Sequence, residues 1–158
     1  MNPRIVQLAG KILIGISIEM RFSQNRTGEL WKLFRSRDTE VKNRISTDFI
    51  SLQHDPCSYF DAFGPDVPFL KFAGVEVDDV RYVPDGMHCL KLPKGLYAVF
   101  DYKGNSADPS IFQYIYGDWI PNSEYELDDR PHFEVLGARY ANDDPSSEEE
   151  VWIPIKKK

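Results

Sequence analysis

Apolar and polar positions change period several times along this chain. Over residues 12–20 they alternate: Ile12, Ile14, Ile16 and Ile18 fall on one face, and Leu13, Gly15, Ser17 and Glu19 on the other. A period of two predicts a β-strand with one buried side and one mixed side. The pattern then lengthens. Asn25 or Thr27 can cap a helix, Glu29 suits its first turn, and Leu30, Trp31, Leu33 and Phe34 supply an apolar face. Residues 48–54 and 69–77 return to strand patterning. Between them lies a turn-rich stretch holding Pro56, Gly64, Pro65 and Pro68.

The second half restarts. Residues 86–93 and 95–104 read as a strand pair punctuated by Pro93 and Gly95. Asp108 and Pro109 form a helix start, with Asp as N-cap and Pro at the first helical position. Ile111, Phe112, Ile115, Tyr116, Trp119 and Ile120 recur at helical spacing until Pro121, which is expected to stop the helix. Residues 132–140 read as a strand. The acidic run 143–150 is expected to be a solvated loop. Residues 151–155 close the chain as a strand, which Pro154 places near a sheet edge.

The two halves share a plan of strand, helix, strand, loop and strand. Shifting strand 13–20 by 82 positions lands on 95–102, and 50–54 lands on 132–136, although the halves share almost no identities. We expect an α+β fold of one domain, built from pseudo-repeats over about 4–80 and 86–156, with a cleft between two similar lobes.

Composition narrows the chemistry. The chain has 158 residues, enough for one substantial core. A net charge of −6 argues against a nucleic-acid-binding surface, and no direct DNA binding is expected. The apolar N-terminal stretch is interrupted by Gln7, Lys11 and Glu19, too often for a membrane span. Cys57 and Cys89 therefore read as reduced thiols of a cytoplasmic protein. His54 with Cys57 and His88 with Cys89 lack the paired spacing of structural zinc sites, and neither metal nor cofactor is implied. Phosphate-binding and nucleophile-elbow glycine motifs are absent from the sequence.

Glu134 is the most informative position. It interrupts an apolar strand, and alternation puts His132, Glu134 and Leu136 on one face with Phe133 and Val135 on the other. It reads two ways: a solvent-facing residue of a half-exposed strand, or a carboxylate on the floor of an aromatic cleft. In the second case it would attract organic cations or act as a general base. Ten Phe, eight Tyr and three Trp give 13% aromatics. Trp31, Phe34, Phe112, Tyr116 and Trp119 have the spacing of core residues, yet on helices beside a cleft they would also stack on a ligand. Tyr59 and Phe60 lie in the turn-rich stretch, where aromatics tend to make contacts with partners.

Segments 26–34, 92–104, 108–137 and 148–155, above all the P-x-F-E pattern at 131–134 and the closing W-I-P-I, carry a resemblance. The chain resembles the GyrI-like small-molecule-binding domains, which also serve as effector-binding domains of bacterial transcription regulators. The resemblance implies two tandem strand-helix-strand-strand modules related by a pseudo-twofold. It also implies a cleft between them for hydrophobic, often cationic, small molecules, with Glu134 at its base. Trp31, Tyr59, Phe112, Tyr116 and Trp119 are candidate walls. The first strand begins within a dozen residues of Met1, so no helix-turn-helix domain is expected and the chain reads as a stand-alone, monomeric binding domain. Two alternatives stay open. One is a hydrolase of strained, cyclopropane-bearing toxic compounds, with Glu134 as base and Tyr116 or Tyr59 as proton donor. The other is a module acting on a protein partner, of the gyrase-protecting type.

Overall fold

The computed structural model describes residues 2–54 and 66–158. Among these, nine strands form one antiparallel sheet. They are β1 (Arg4–Leu8), β2 (Lys11–Met20), β3 (Phe49–His54), β4 (Phe69–Val77), β5 (His88–Leu92), β6 (Gly95–Lys103), β7 (Tyr125–Leu127), β8 (His132–Leu136) and β9 (Glu148–Lys157). The order across the sheet is β1-β6-β9-β8-β3-β4-β2-β5, with β7 paired to β9 beyond the end of β8. With α1 (Thr27–Arg35) and a second helical segment after β6, the class is α+β as expected.

Helix α1 begins where the chain can satisfy its first donors. Asn25 Oδ1 accepts from the Thr27 amide at 2.9 Å, and Arg26 grips Glu29 in the first turn with two hydrogen bonds. Leu30 and Phe34, four residues apart, are fully buried against β2 and β4. The second helical segment runs from α2 (Ser110–Tyr114) through a π-helical turn (Ile115–Trp119) into α3 (Ile120–Asn122). Asp108 Oδ1 accepts from the Ser110 amide at 2.9 Å, and the helix starts at Ser110, one residue later than Pro109, the expected first helical position. Pro121 does not stop the helix. Its ring would collide with the carbonyl four residues back, and the turn before it widens so that the Ile120 amide reaches the Ile115 carbonyl.

The pairing of residues 86–93 with 95–104 is corrected by the sheet. β5 pairs β2, with Lys11 opposite Leu92, while β6 pairs β1, with Leu8 opposite Gly95. A two-residue hairpin needs positive φ at its first loop position, which Pro93 cannot adopt. The β1–β2 link, Ala9-Gly10, has the same defect: Gly10 carries a φ of +117° but Ala9 is not in the positive region. Each link therefore crosses between the two edges of the sheet. Laid flat, six strand spacings would separate β5 from β6 by about 29 Å, whereas a two-residue link reaches about 11 Å. The sheet must roll until its edges approach. The core shows this, because Leu8, Leu13, Leu92, Tyr97, Leu52, Phe72 and Phe133 from both ends and the middle pack in one cluster inside the roll. Two further clusters lie on the outer face, one under α1 and one under the second helical segment.

Two other expectations are corrected. The closing strand is central, between β6 and β8, rather than at an edge. Pro154 falls between Trp152, the last β9 residue paired to β8, and Ile155, the first paired to β7, so its missing N–H breaks no ladder bond. The acidic run is not wholly solvated, since β9 starts at Glu148 and both Ser147 and Glu149 are buried. β1 and β7 had no distinct signal in the sequence pattern.

Where β2 crosses β4, Gly15 stands directly opposite Gly74. A Cβ at Gly74 would lie 2.5 Å from the Ile14 carbonyl oxygen, and one at Gly15 would meet the Ala73 carbonyl. Gly15→Ala is expected to cost about 2 kcal/mol through backbone displacement, read as a lowered urea midpoint with an unchanged slope.

Candidate functional site

A cleft of about 1470 Å³ opens between α1 and the second helical segment. Its floor is the β3–β8 pair, in which Phe49, Ser51 and Gln53 stand opposite Leu136, Glu134 and His132. These residues line the cleft, while Ile50, Leu52, Phe133 and Val135 point into the rolled core. Trp31 leans in from α1 at 5.8 Å from the Phe49 ring centre. Phe112 and Tyr116, one helical turn apart, stack at 6.4 Å and wall the opposite side. The sequence candidates Glu134, Trp31, Phe112 and Tyr116 are thus brought together. Trp119 is not among the cleft-lining residues; it packs on Phe100 and Tyr125. Tyr59, with Cys57 and Phe60, lies outside the described residues.

The positive groups near the floor are largely committed. Arg130 pairs with Asp128 at 2.9 Å, donates to the Leu96 and Ile155 carbonyls, and lies 4.6 Å from the Tyr97 ring centre. Arg35 is 3.5 Å from Asp38 and rests on Phe49. His132 Nδ1 and the Tyr116 hydroxyl share a 2.7 Å hydrogen bond. Burial, with the nearby Arg130 charge, lowers the imidazole from 6.5 to about 4, so at neutral pH it is uncharged. Lys71, half-buried on β4, makes no ion pair among the described residues.

Sequence reasoning missed Glu149. It sits on β9 beside Glu134, whose pairing partner there is Val151, and it is 8% exposed. Burial, then the charge and hydrogen bond of the Glu134 carboxyl, push Glu149 up to about 8, while Lys71 acts in the opposite sense. No described donor reaches its Oε2. The signal was in the chain: Glu149, Val151, Ile153 and Ile155 share one side of an alternating strand.

A family described as Cass2, integron-associated effector binding protein, matches residues 4–155. The chain belongs to this family. The transcriptional regulator BrlR of Pseudomonas aeruginosa is 31% identical over 98% of the chain, and the match spans 56% of BrlR, about half its length. Three solved structures share the fold. A bacterial transcription regulation protein from Staphylococcus aureus has a TM-score of 0.70 at 17% identity, with 99% of each chain covered. SAV2435, bound to tetraphenylphosphonium, has 0.68 at 18%, with 99% of this chain and 94% of that one. An integron cassette protein from Vibrio cholerae has 0.68 at 13%, with 98% and 96% covered. The resemblance to effector-binding domains of regulators is thereby borne out, and effector binding is the family's role. No described helix is long and apolar enough to cross a membrane.

Glu149 leaves a mark on stability. Its folded-state value is raised, so the folded protein holds a proton that the unfolded chain has already lost above 4.5, and stability falls as pH rises toward about 8. His132 opposes this below 6.5, where the unfolded imidazole takes up a proton that the folded one refuses. Melting curves above pH 6.5 separate the two. The wild type is expected to lose stability up to about pH 8, and Glu149→Gln to stay flat.

Proposed function

We propose that the chain is a sequestering or sensing domain for bulky, hydrophobic, cationic small molecules. The observation that carries this reading is a carboxylate, Glu134, on the floor of a large aromatic-walled cleft. Trp31, Phe112 and Tyr116 supply contact area and electron-rich faces for a delocalised cation. Glu134 supplies the charge, with His132 held neutral beside it. The shared fold with a neighbour that holds tetraphenylphosphonium supports the same ligand class.

We read the cleft as the seam of two tandem modules within one domain, over about 4–80 and 86–156. The strand order supports this. β5-β2-β4-β3 is followed by β8-β9-β6-β1, which is the same arrangement in reverse with the outermost strand taken from the other half.

Hydrolysis of a strained electrophile is the second reading. Its support is the Glu134–Glu149 pair, a carboxylate beside a protonated carboxyl, with the Tyr116 hydroxyl in the same cleft. Mass spectrometry of an activated cyclopropane after incubation decides it, and a compound recovered intact removes this chemistry for that substrate.

For the binding reading, tetraphenylphosphonium is the probe. Glu134→Gln is expected to weaken it by about tenfold or more, equivalent to about 1.4 kcal/mol. A side chain at Gly28 on α1 meets open space, so Gly28→Leu is expected to block the cleft while leaving the fold intact. Trp119→Phe is expected to leave affinity unchanged. Equal affinity in wild type and Glu134→Gln would remove the charge role.

A further inference from the structure

The buried carboxyl of Glu149 has no part in holding a ligand in the reading above, yet the fold keeps it against Glu134 at the expense of removing it from water. Glu149 lies two residues from Val151, the partner of Glu134, on the same face of the sheet, and its buried Oε2 has no described hydrogen-bond partner. Two carboxyls so placed repel each other unless one is protonated. Each strand that packs here contributes a group. Glu134 comes from β8, Lys71 from β4, Tyr102 from β6, and Tyr140 from the segment after β8. Burial raises both tyrosines, which keep their protons at neutral pH. Lys71 offsets part of the pair's negative charge. Around neutrality, Glu149 is the group in this cluster poised to change state.

We propose that a ligand cation and a proton compete for the Glu134–Glu149 pair, so that the cleft binds a lipophilic cation in exchange for H⁺. This rests on the cation-binding reading and adds its regulation. The proton resolves the repulsion between two carboxylates on one buried face. A cation settling over Glu134 does the same for both. The O–H bond of Glu149 then breaks, the proton passes to the solvent buffer, and Glu134 faces the ligand with a second negative charge buried beside it. The magnitudes agree: a positive charge within about 4–6 Å lowers a carboxyl by about 1–3 pK units. That carries Glu149 from about 8 to or below neutrality.

Calorimetry of tetraphenylphosphonium binding near pH 7, in two buffers of different ionisation enthalpy, counts the protons. We expect about 0.5–1 proton released per cation, and affinity rising about tenfold from about pH 6 to about pH 8. In Glu149→Gln the release is expected to vanish and the pH profile to flatten. Binding by the wild type with no buffer-dependent heat and a flat profile overturns the exchange while leaving the binding reading intact. Release that persists in a folded Glu149→Gln overturns the assignment to Glu149. If that variant does not fold, the wild-type count decides alone. A cation that fails to bind at all overturns the binding reading and the exchange with it.

Discussion

The antiparallel pairing of β3 with β8 is the contact on which the cleft depends. It joins the β4 side of the sheet to the β9 side and sets Ser51 opposite Glu134. Side chains alternate across a strand, so a slip of one residue would turn Phe133 into the cleft and Glu134 into the core. What prevents the slip is apolar. Ile50, Leu52 and Phe133 are each at most 3% exposed in the rolled core behind the floor. The hydrophobic side of two strands thus specifies the position of a charge on their polar side.

Most of the positive groups that neighbour this charge are committed elsewhere. Arg130 spends its guanidinium on Asp128 and two strand carbonyls, and Arg35 lies over Phe49 beside Asp38. His132 is kept neutral by burial, with a tyrosine hydroxyl on Nδ1. Lys71 is the exception: it lines the cleft without an ion pair among the described residues and acts on Glu149. The cleft keeps its polarity through pairing and desolvation at its margins, as well as through the acid at its centre.

Much of this was legible from residue pattern. The alternation at 132–136 gave Glu134 its face, and helical spacing gave Phe112 and Tyr116 a shared side. What local pattern could not give was partner choice. Residues 86–104 look like a hairpin because proximity in sequence favours one, and a proline at the first loop position is the subtle term that forbids it. Pro154 pointed to an edge because the gap between β7 and β8 is a tertiary fact. Trp119 has the same helical spacing as Tyr116, but a widened turn carries it round to Phe100. Glu149 was hidden by composition, since the acids around it read as solvated while its own period was that of β9.

The crossed links between β1 and β2 and between β5 and β6 bear on how the chain is made. Arg4 pairs with Val99, and Lys11 with Leu92. A chain emerging from the ribosome therefore exposes its first strand long before that strand's partner exists, and the roll cannot close until β6 has been synthesised. Such late, distant closure is slow, because much loop entropy is lost before the contacts repay it. Through that interval the apolar sides of β1 and β2 stand open to other chains, so production of this small domain should be governed by the speed of synthesis and by whatever shields nascent strands.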